Sequence, residues 1–169
     1  PRRTLQAKAK PVKEVTDAVR ALLDDMLETM YDAPGIGLAA NQVGSLYRVL
    51  VMDCGAREDD EQPRPIKIIN PQITGVSEEL SSYEEGCLSI PEQFADVERP
   101  AVVRIKYLDE TGKAQERLFE GLEATCVQHE IDHLDGILFV DHLSNLKRNM
   151  LMKKLKKLIK EREDEGDHA

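Results

Sequence analysis

No run of 18 apolar residues occurs anywhere in these 169 residues, which excludes a membrane-spanning helix. No apolar signal segment stands at the N-terminus, and three cysteines cannot all pair, so the expected setting is a reducing cytoplasm rather than an oxidising one. Pro1 is not a natural start, and a processed or truncated N-terminus is expected. Neither an internal repeat nor a composition shift marks a linker. Residues 1–169 therefore read as one domain, long enough to bury a sizeable core.

Histidine is also scarce, with four in the chain, and two of them fall in Gln128-His129-Glu130-Ile131-Asp132-His133. Residues four apart lie one above the other on a helix, so both imidazoles can reach one cation while Glu130 points beside the remaining coordination sites. A carboxylate next to a cation and its water is a hydrolase arrangement. Two chance histidines on a helix are the bland alternative. Ala124, Val127, Ile131 and Leu134 argue against it, because they leave little polar face on which to solvate two rings.

Catalytic sites of this kind usually take three protein ligands and keep one position for water. His142 follows the strand-like Leu138-Phe139-Val140, and His168 lies in a charged tail. Cys126 is on the same helix as the histidines and too nearly collinear with them; Cys54 follows a strand and reads as a structural or surface thiol. Cys87 sits in Glu84-Glu85-Gly86-Cys87-Leu88-Ser89-Ile90-Pro91, where glycine and proline hold an irregular backbone that can aim a thiolate and a backbone N–H at one point. A small buried hydrophobe is the other reading of a free cysteine. Spacing alone leaves the two open.

Three blocks together resemble the peptide deformylases: Gly35-Ile36-Gly37-Leu38-Ala39-Ala40-Asn41-Gln42-Val43-Gly44, Glu85-Gly86-Cys87-Leu88-Ser89-Ile90-Pro91, and the histidine block. Their order and spacing match, and the resemblance runs from Ala9 to Ser144. It implies Cys87, His129 and His133 as ligands of one divalent metal ion, with Fe(II) the physiological metal and Zn, Ni or Co able to occupy the site. It implies removal of the formyl group from the N-terminal formyl-methionine of new polypeptides. Glu130 is then the general base and acid, and the oxyanion is held with help from the Gln42 amide and the Leu88 backbone N–H. Ile36 and Gly37 on one side and Gly86 on the other are expected to pair with the substrate main chain, while Ile36, Tyr83, Leu122, Thr125, Cys126 and His129 surround the methionine. Phe94 stands where some relatives have an arginine facing the substrate, which leaves preference beyond methionine open.

Gly35-x-Gly37-x-x-Ala40 formally fits a dinucleotide fingerprint, but that motif needs a strand before it and a helix after it. Here the order is reversed. Val19, Leu22, Leu23, Met26, Leu27 and Met30 predict an amphipathic helix over 16–31 with Thr16 as N-cap, ended by Pro34-Gly35. No nucleotide cofactor is expected. Strands are expected at 48–53, 66–70, 73–76, 102–108 and 115–119, with a hairpin turn at 109–113 and a solvated polar loop at 55–65. The fold class is α+β, with antiparallel sheets around a central metal-binding helix, an N-terminal helix and a basic C-terminal helix.

That last helix is expected over 144–160, capped by Ser144, with Leu151, Leu155 and Leu158 packing inward. It carries seven basic residues and no acid in a chain of net charge −9. A solvated face is one reading; contact with ribosomal RNA is the other, and it should weaken steeply with salt. Residues 161–169 read as a flexible tail. Two other function classes stay in view, a zinc endopeptidase and a non-catalytic, metal-stabilised ribosome-binding module. A Cys87 ligand argues against the first, and an open coordination position beside Glu130 argues against the second.

Overall fold

The computed structural model describes residues 8–55, 62–87, 90–137, 142, 150, 153, 156–162 and 164; the side chains of Cys87 and of residues 90–93 are outside that description. The first helix, α1 (Asp17–Asp32), begins where Thr16 turns from extended backbone and its hydroxyl accepts the Val19 N–H at 3.3 Å. Its inward stripe is Val19, Leu23, Met26 and Met30, and the chain leaves the helix at Ala33 and Pro34.

Next come β1 (Gly37–Ala39), a 3₁₀ turn at Ala40–Val43, and β2 (Val49–Met52). Every residue of β2 is buried, and the alternation of a strand divides them. Val49 and Val51 pack with Leu23, Met26 and Met30 of α1, whereas Leu50 and Met52 pack with Val127, Ile131 and Leu134 of a second helix, α2 (Gly121–Leu134). The sheet is thus clothed by one helix on each face.

Three longer strands complete that sheet, β3 (Ile66–Val76), β6 (Val102–Leu108) and β7 (Ala114–Glu120), in the spatial order β1-β2-β3-β6-β7 with all neighbours antiparallel. The two strands expected at 66–70 and 73–76 are one strand, interrupted by register shifts between Ile69 and Gln72, which bracket Asn70, and between Ile73 and Gly75. Asn70 takes a left-handed φ of 53°, which asparagine tolerates, and its amide grips both backbone groups of Val12 at 2.7 and 2.8 Å. Asp109 closes the expected β6–β7 turn by accepting the Thr111 and Lys113 N–H groups, with Gly112 at φ 83°.

Between β3 and β6 lies a hairpin of its own, β4 (Leu80–Cys87) and β5 (Ile90–Pro100), forming a second, two-stranded sheet. The segment around Cys87, expected to be an irregular backbone, enters as regular strand: Glu84, Glu85 and Gly86 pair with Asp96, Ala95 and Phe94, and a register shift falls between Gly86 and Cys87. The hairpin hides from sequence patterning because charged residues such as Glu85 and Arg99 occupy its inward positions.

The expected strand at 138–140 and most of the helix expected over 144–160 lie outside the described residues. Those that are described, 150, 153 and 156–160, are helical, with Lys153, Lys156, Lys157 and Lys160 exposed. Helical residues continue at 161, 162 and 164, past the expected boundary, as the helix formers Glu161 and Arg162 permit. Among the described residues no helix is long and apolar enough to cross a membrane.

Candidate metal centre and active site

The helix α2 is buried on nearly all sides, from Ala124 to Leu134, which is unusual for a segment holding two histidines, a glutamate and a glutamine. Each of these polar groups therefore needs a partner. Gln128 donates to the carbonyls of Ala124 and Pro100, and Asn41, from the 3₁₀ turn, donates to the His133 carbonyl near the end of the helix. The rings of His129 and His133 meet edge to face with centroids 4.9 Å apart. Donor atoms of His129, Glu130 and His133 all lie within 4.8 Å of one another.

Behind His129 runs a chain of buried charge. Its Nδ1–H donates to Glu85 Oε1 at 2.8 Å, leaving Nε2 on the side of Glu130, 3.9 Å from its Oε1. Glu85 receives a two-pronged bond from Arg99, Nε at 2.7 Å and Nη2 at 2.9 Å, and the third prong, Nη1, reaches Asp132 at 2.7 Å. A carboxylate bonded to the far nitrogen of a ligand histidine fixes the ring and its tautomer. Burial alone would raise the Glu85 pKa, but the bond from His129 and the guanidinium of Arg99 outweigh it and hold the carboxyl low.

The three clustered side chains fit a divalent cation. Burial, followed by the neighbouring His129 and Arg99, pushes the His133 pKa down to about 3, so its imidazole is neutral and able to ligate. Glu130 Oε2 is buried with no hydrogen-bond partner among the described residues, and burial raises the Glu130 pKa to about 7. An acid whose folded pKa lies above its unfolded value of 4.5 adds stability below pH 4.5 and loses it as pH rises through 7. In chelator-treated protein, Glu130→Gln is therefore expected to gain about 3 kcal/mol on the parent chain between those limits. Denaturant titration at several pH values checks this; a pH-independent difference would contradict it.

A cavity of about 400 Å³ opens over this cluster. Ile36, Gly37 and Gln42 from the β1 region, Tyr83 and Gly86 from β4, and Leu122, Thr125, Cys126, His129 and Glu130 from α2 line it. Gln42 Oε1 accepts the Ala39 N–H at 2.9 Å, which fixes the orientation of its amide. Phe94 stands at the cavity with 59% of its surface exposed. His133 is fully buried. Cys87 ends β4, one residue beyond Gly86, but what its thiol touches, and the whole of Leu88, lie outside the described residues.

Gly37 is dictated by space. A Cβ there would sit 2.7 Å from Cys126 Sγ and 2.9 Å from Glu130 Cγ. Gly37→Ala is expected to cost about 1–3 kcal/mol by overpacking and to lower the melting temperature by several degrees. An unchanged melting temperature would show that β1 can move off α2.

Cys126 Sγ lies 3.5 Å from the Ile36 carbonyl, and the adjacent Cys54 sulfhydryl together with burial pushes its pKa well up, as expected of an unreactive wall thiol. Cys54 is fully buried, which settles it as a core residue rather than a surface one. His142, weighed above as a ligand, instead bonds Asp132 Oδ2 at 2.8 Å. Sequence reasoning missed Glu85, Arg99, Asp132 and Asn41 as functional residues. Asn41, Glu85 and Asp132 lay inside the quoted blocks, but nothing local marks Arg99 or its pairing with Glu85 and Asp132.

The family model for polypeptide deformylase matches residues 1–149. A peptide deformylase of Mesorhizobium japonicum is 59% identical over 158 residues, spanning 94% of this chain and 89% of that protein. The crystal structure of peptide deformylase from Ehrlichia chaffeensis superposes with a TM-score of 0.89 at 40% identity, covering 97% of this chain and 94% of that one. A second structure of that protein, in complex with actinonin, gives 0.87 at 40% identity over 93% and 92% of the two chains. With its sheets, its helix carrying His129, Glu130 and His133, and its cavity in view, the chain belongs to the polypeptide deformylase family, metal-dependent hydrolases that remove the N-formyl group from newly made peptides.

Proposed function

We propose that this chain, as one catalytic domain in the cytoplasm, hydrolyses the N-formyl group of formyl-methionine at the start of new polypeptides and releases formate. The observation that carries the reading is the convergence of His129, Glu130 and His133, the first two of which line a cavity together with Gly37 and Gly86. Glycine at both places lets a peptide main chain lie close to the backbone and pair as an added strand, which supplies affinity without demanding a sequence. Ile36, Tyr83, Leu122, Thr125 and Cys126 then take the methionine side chain.

His129 and His133, with Cys87 as third ligand, would hold the cation, Fe(II) in the cell and Zn, Ni or Co in purified protein. When bound it supplies Lewis acidity, lowering the pKa of a water and polarising the formyl oxygen. Glu130 takes the proton as the water oxygen bonds to the formyl carbon, and returns it to the nitrogen as the C–N bond breaks. The Gln42 amide and the Leu88 backbone N–H donate to the oxygen that gains charge. Glu85 holds His129 in the tautomer that leaves Nε2 to the cation.

Formylated and unformylated methionyl peptides offered side by side test the reading. One formate per formylated peptide is expected, with the unformylated peptide untouched; cleavage at an internal bond would favour a zinc endopeptidase instead. The basic segment 144–160 would bring the enzyme to ribosomal RNA. Truncation after Ser144 is expected to reduce ribosome co-sedimentation, which should also fall steeply with salt. Unchanged association at low salt would refute that contact.

A further inference from the structure

His142 is the one histidine among the described residues that the chemistry above leaves unused. It lies past the end of α2, eight positions beyond Leu134, yet its Nε2–H donates back to Asp132 Oδ2 at 2.8 Å. The same oxygen accepts Arg99 Nη1 at 2.7 Å. Four groups are thereby joined to His129 in an unbroken line, His142 to Asp132, Asp132 to Arg99, Arg99 to Glu85, and Glu85 to the ring nitrogen of His129. The exposures fall along it: the side chain of His142 is 36% exposed, Asp132 20%, Arg99 5% and Glu85 4%.

The position of Asp132 gives His142 its leverage. A carboxylate one-fifth exposed can rotate toward solvent, and with a single protein donor it has little reason not to. Two donors on one oxygen, from separate elements of the chain, fix it. Asp132 in turn fixes the third prong of Arg99; a guanidinium anchored by two carboxylates cannot pivot about its bond to Glu85. Glu85 then presents Oε1 to His129 in one geometry.

We propose that His142 is a positioning residue for the metal centre, acting through Asp132, Arg99 and Glu85 to hold the His129 ring in its ligating orientation. It touches neither peptide nor cation. The inference rests on the reading of His129 as a ligand. Partners one layer out from a ligand are worth about ten- to a hundredfold in cation affinity, and His142 stands further back, so its loss should weaken retention about three- to tenfold.

The test compares His142→Ala and His142→Gln with the parent enzyme, since the glutamine amide can still donate to Asp132. Three quantities are read: zinc dissociation by chelator competition, the visible spectrum of the cobalt-loaded protein, and kcat and KM on a formyl-methionyl peptide. His142→Ala is expected to release zinc about three- to tenfold more readily, to alter the cobalt spectrum, and to lose kcat at unchanged KM. His142→Gln should restore most of each. A lowered melting temperature of the metal-free protein with unchanged zinc retention and spectrum would make His142 a fold anchor only and overturn the proposal, as would no change in any quantity or no rescue by glutamine. A parent enzyme that binds no zinc would fail the ligand reading itself, an outcome distinct from these.

Discussion

Alanine at position 130 is expected to leave a chain that still binds one divalent cation and turns over formyl-methionyl peptide about 10²–10⁴-fold more slowly. The cation ligands stay, and so does the cavity. What disappears is the group placed to carry a proton from water to the departing nitrogen, a carboxyl that is 4% exposed and whose pKa burial lifts to about 7. A group titrating near neutrality can take and return a proton at little cost in either direction, which an ordinary carboxylate does less well. The same burial makes Glu130 a liability for the fold, so the variant should be at least as stable as its parent at neutral pH. Metal quantification with steady-state kinetics checks the expectation; substantial turnover by metal-replete Glu130→Ala would remove Glu130 from its role.

The second large effect is expected at Arg99, which is not among the residues lining the cavity over the cluster. Its side chain is 5% exposed and makes three short bonds to Glu85 and Asp132. Arg99→Leu would strand Glu85 as an uncompensated buried charge, at a cost of about 3–5 kcal/mol. For a chain of this size that is a fall of roughly 10 °C in melting temperature. Adding Glu85→Leu should recover much of the stability, because removing both members of a buried pair is far less harmful than removing one. It should not recover the metal centre. His129 Nδ1 then has no carboxylate, and cation affinity should drop about ten- to a hundredfold. Thermal melts and chelator competition on the single and double variants separate the two consequences. A double variant that regains full cation affinity would show that Glu85 serves the fold alone.

The contrast between Glu130 and Arg99 also shows which parts of the site sequence can carry. His129, Glu130 and His133 are legible because one turn of helix brings them together, and helix geometry is fixed by spacing. The stripe of α1 and its Thr16 cap are legible for the same reason, as is the Asp109 turn. Arg99 meets Glu85 only because β4 and β5 fold back on each other, and Asp132 only because the hairpin rests on α2. Nothing within a few residues of any of the three announces a partner. The hairpin itself went unread because its inward positions hold a salt bridge where apolar alternation would mark a strand. Asn70 shows a different failure: its left-handed backbone and the bulge beside it make one long strand look like two short ones.

The assignment that most needs a direct measurement is the sulfur. His129 and His133 lie within reach of one cation, and Cys87 ends the strand whose preceding residue lines the cavity. X-ray absorption at the zinc edge of protein loaded with one equivalent of zinc reads the donor atoms themselves. One sulfur and two imidazoles, with a lighter donor completing the shell, is the expected result. A shell of nitrogen and oxygen alone, or one closed by four protein ligands, would contradict the catalytic centre proposed for this chain.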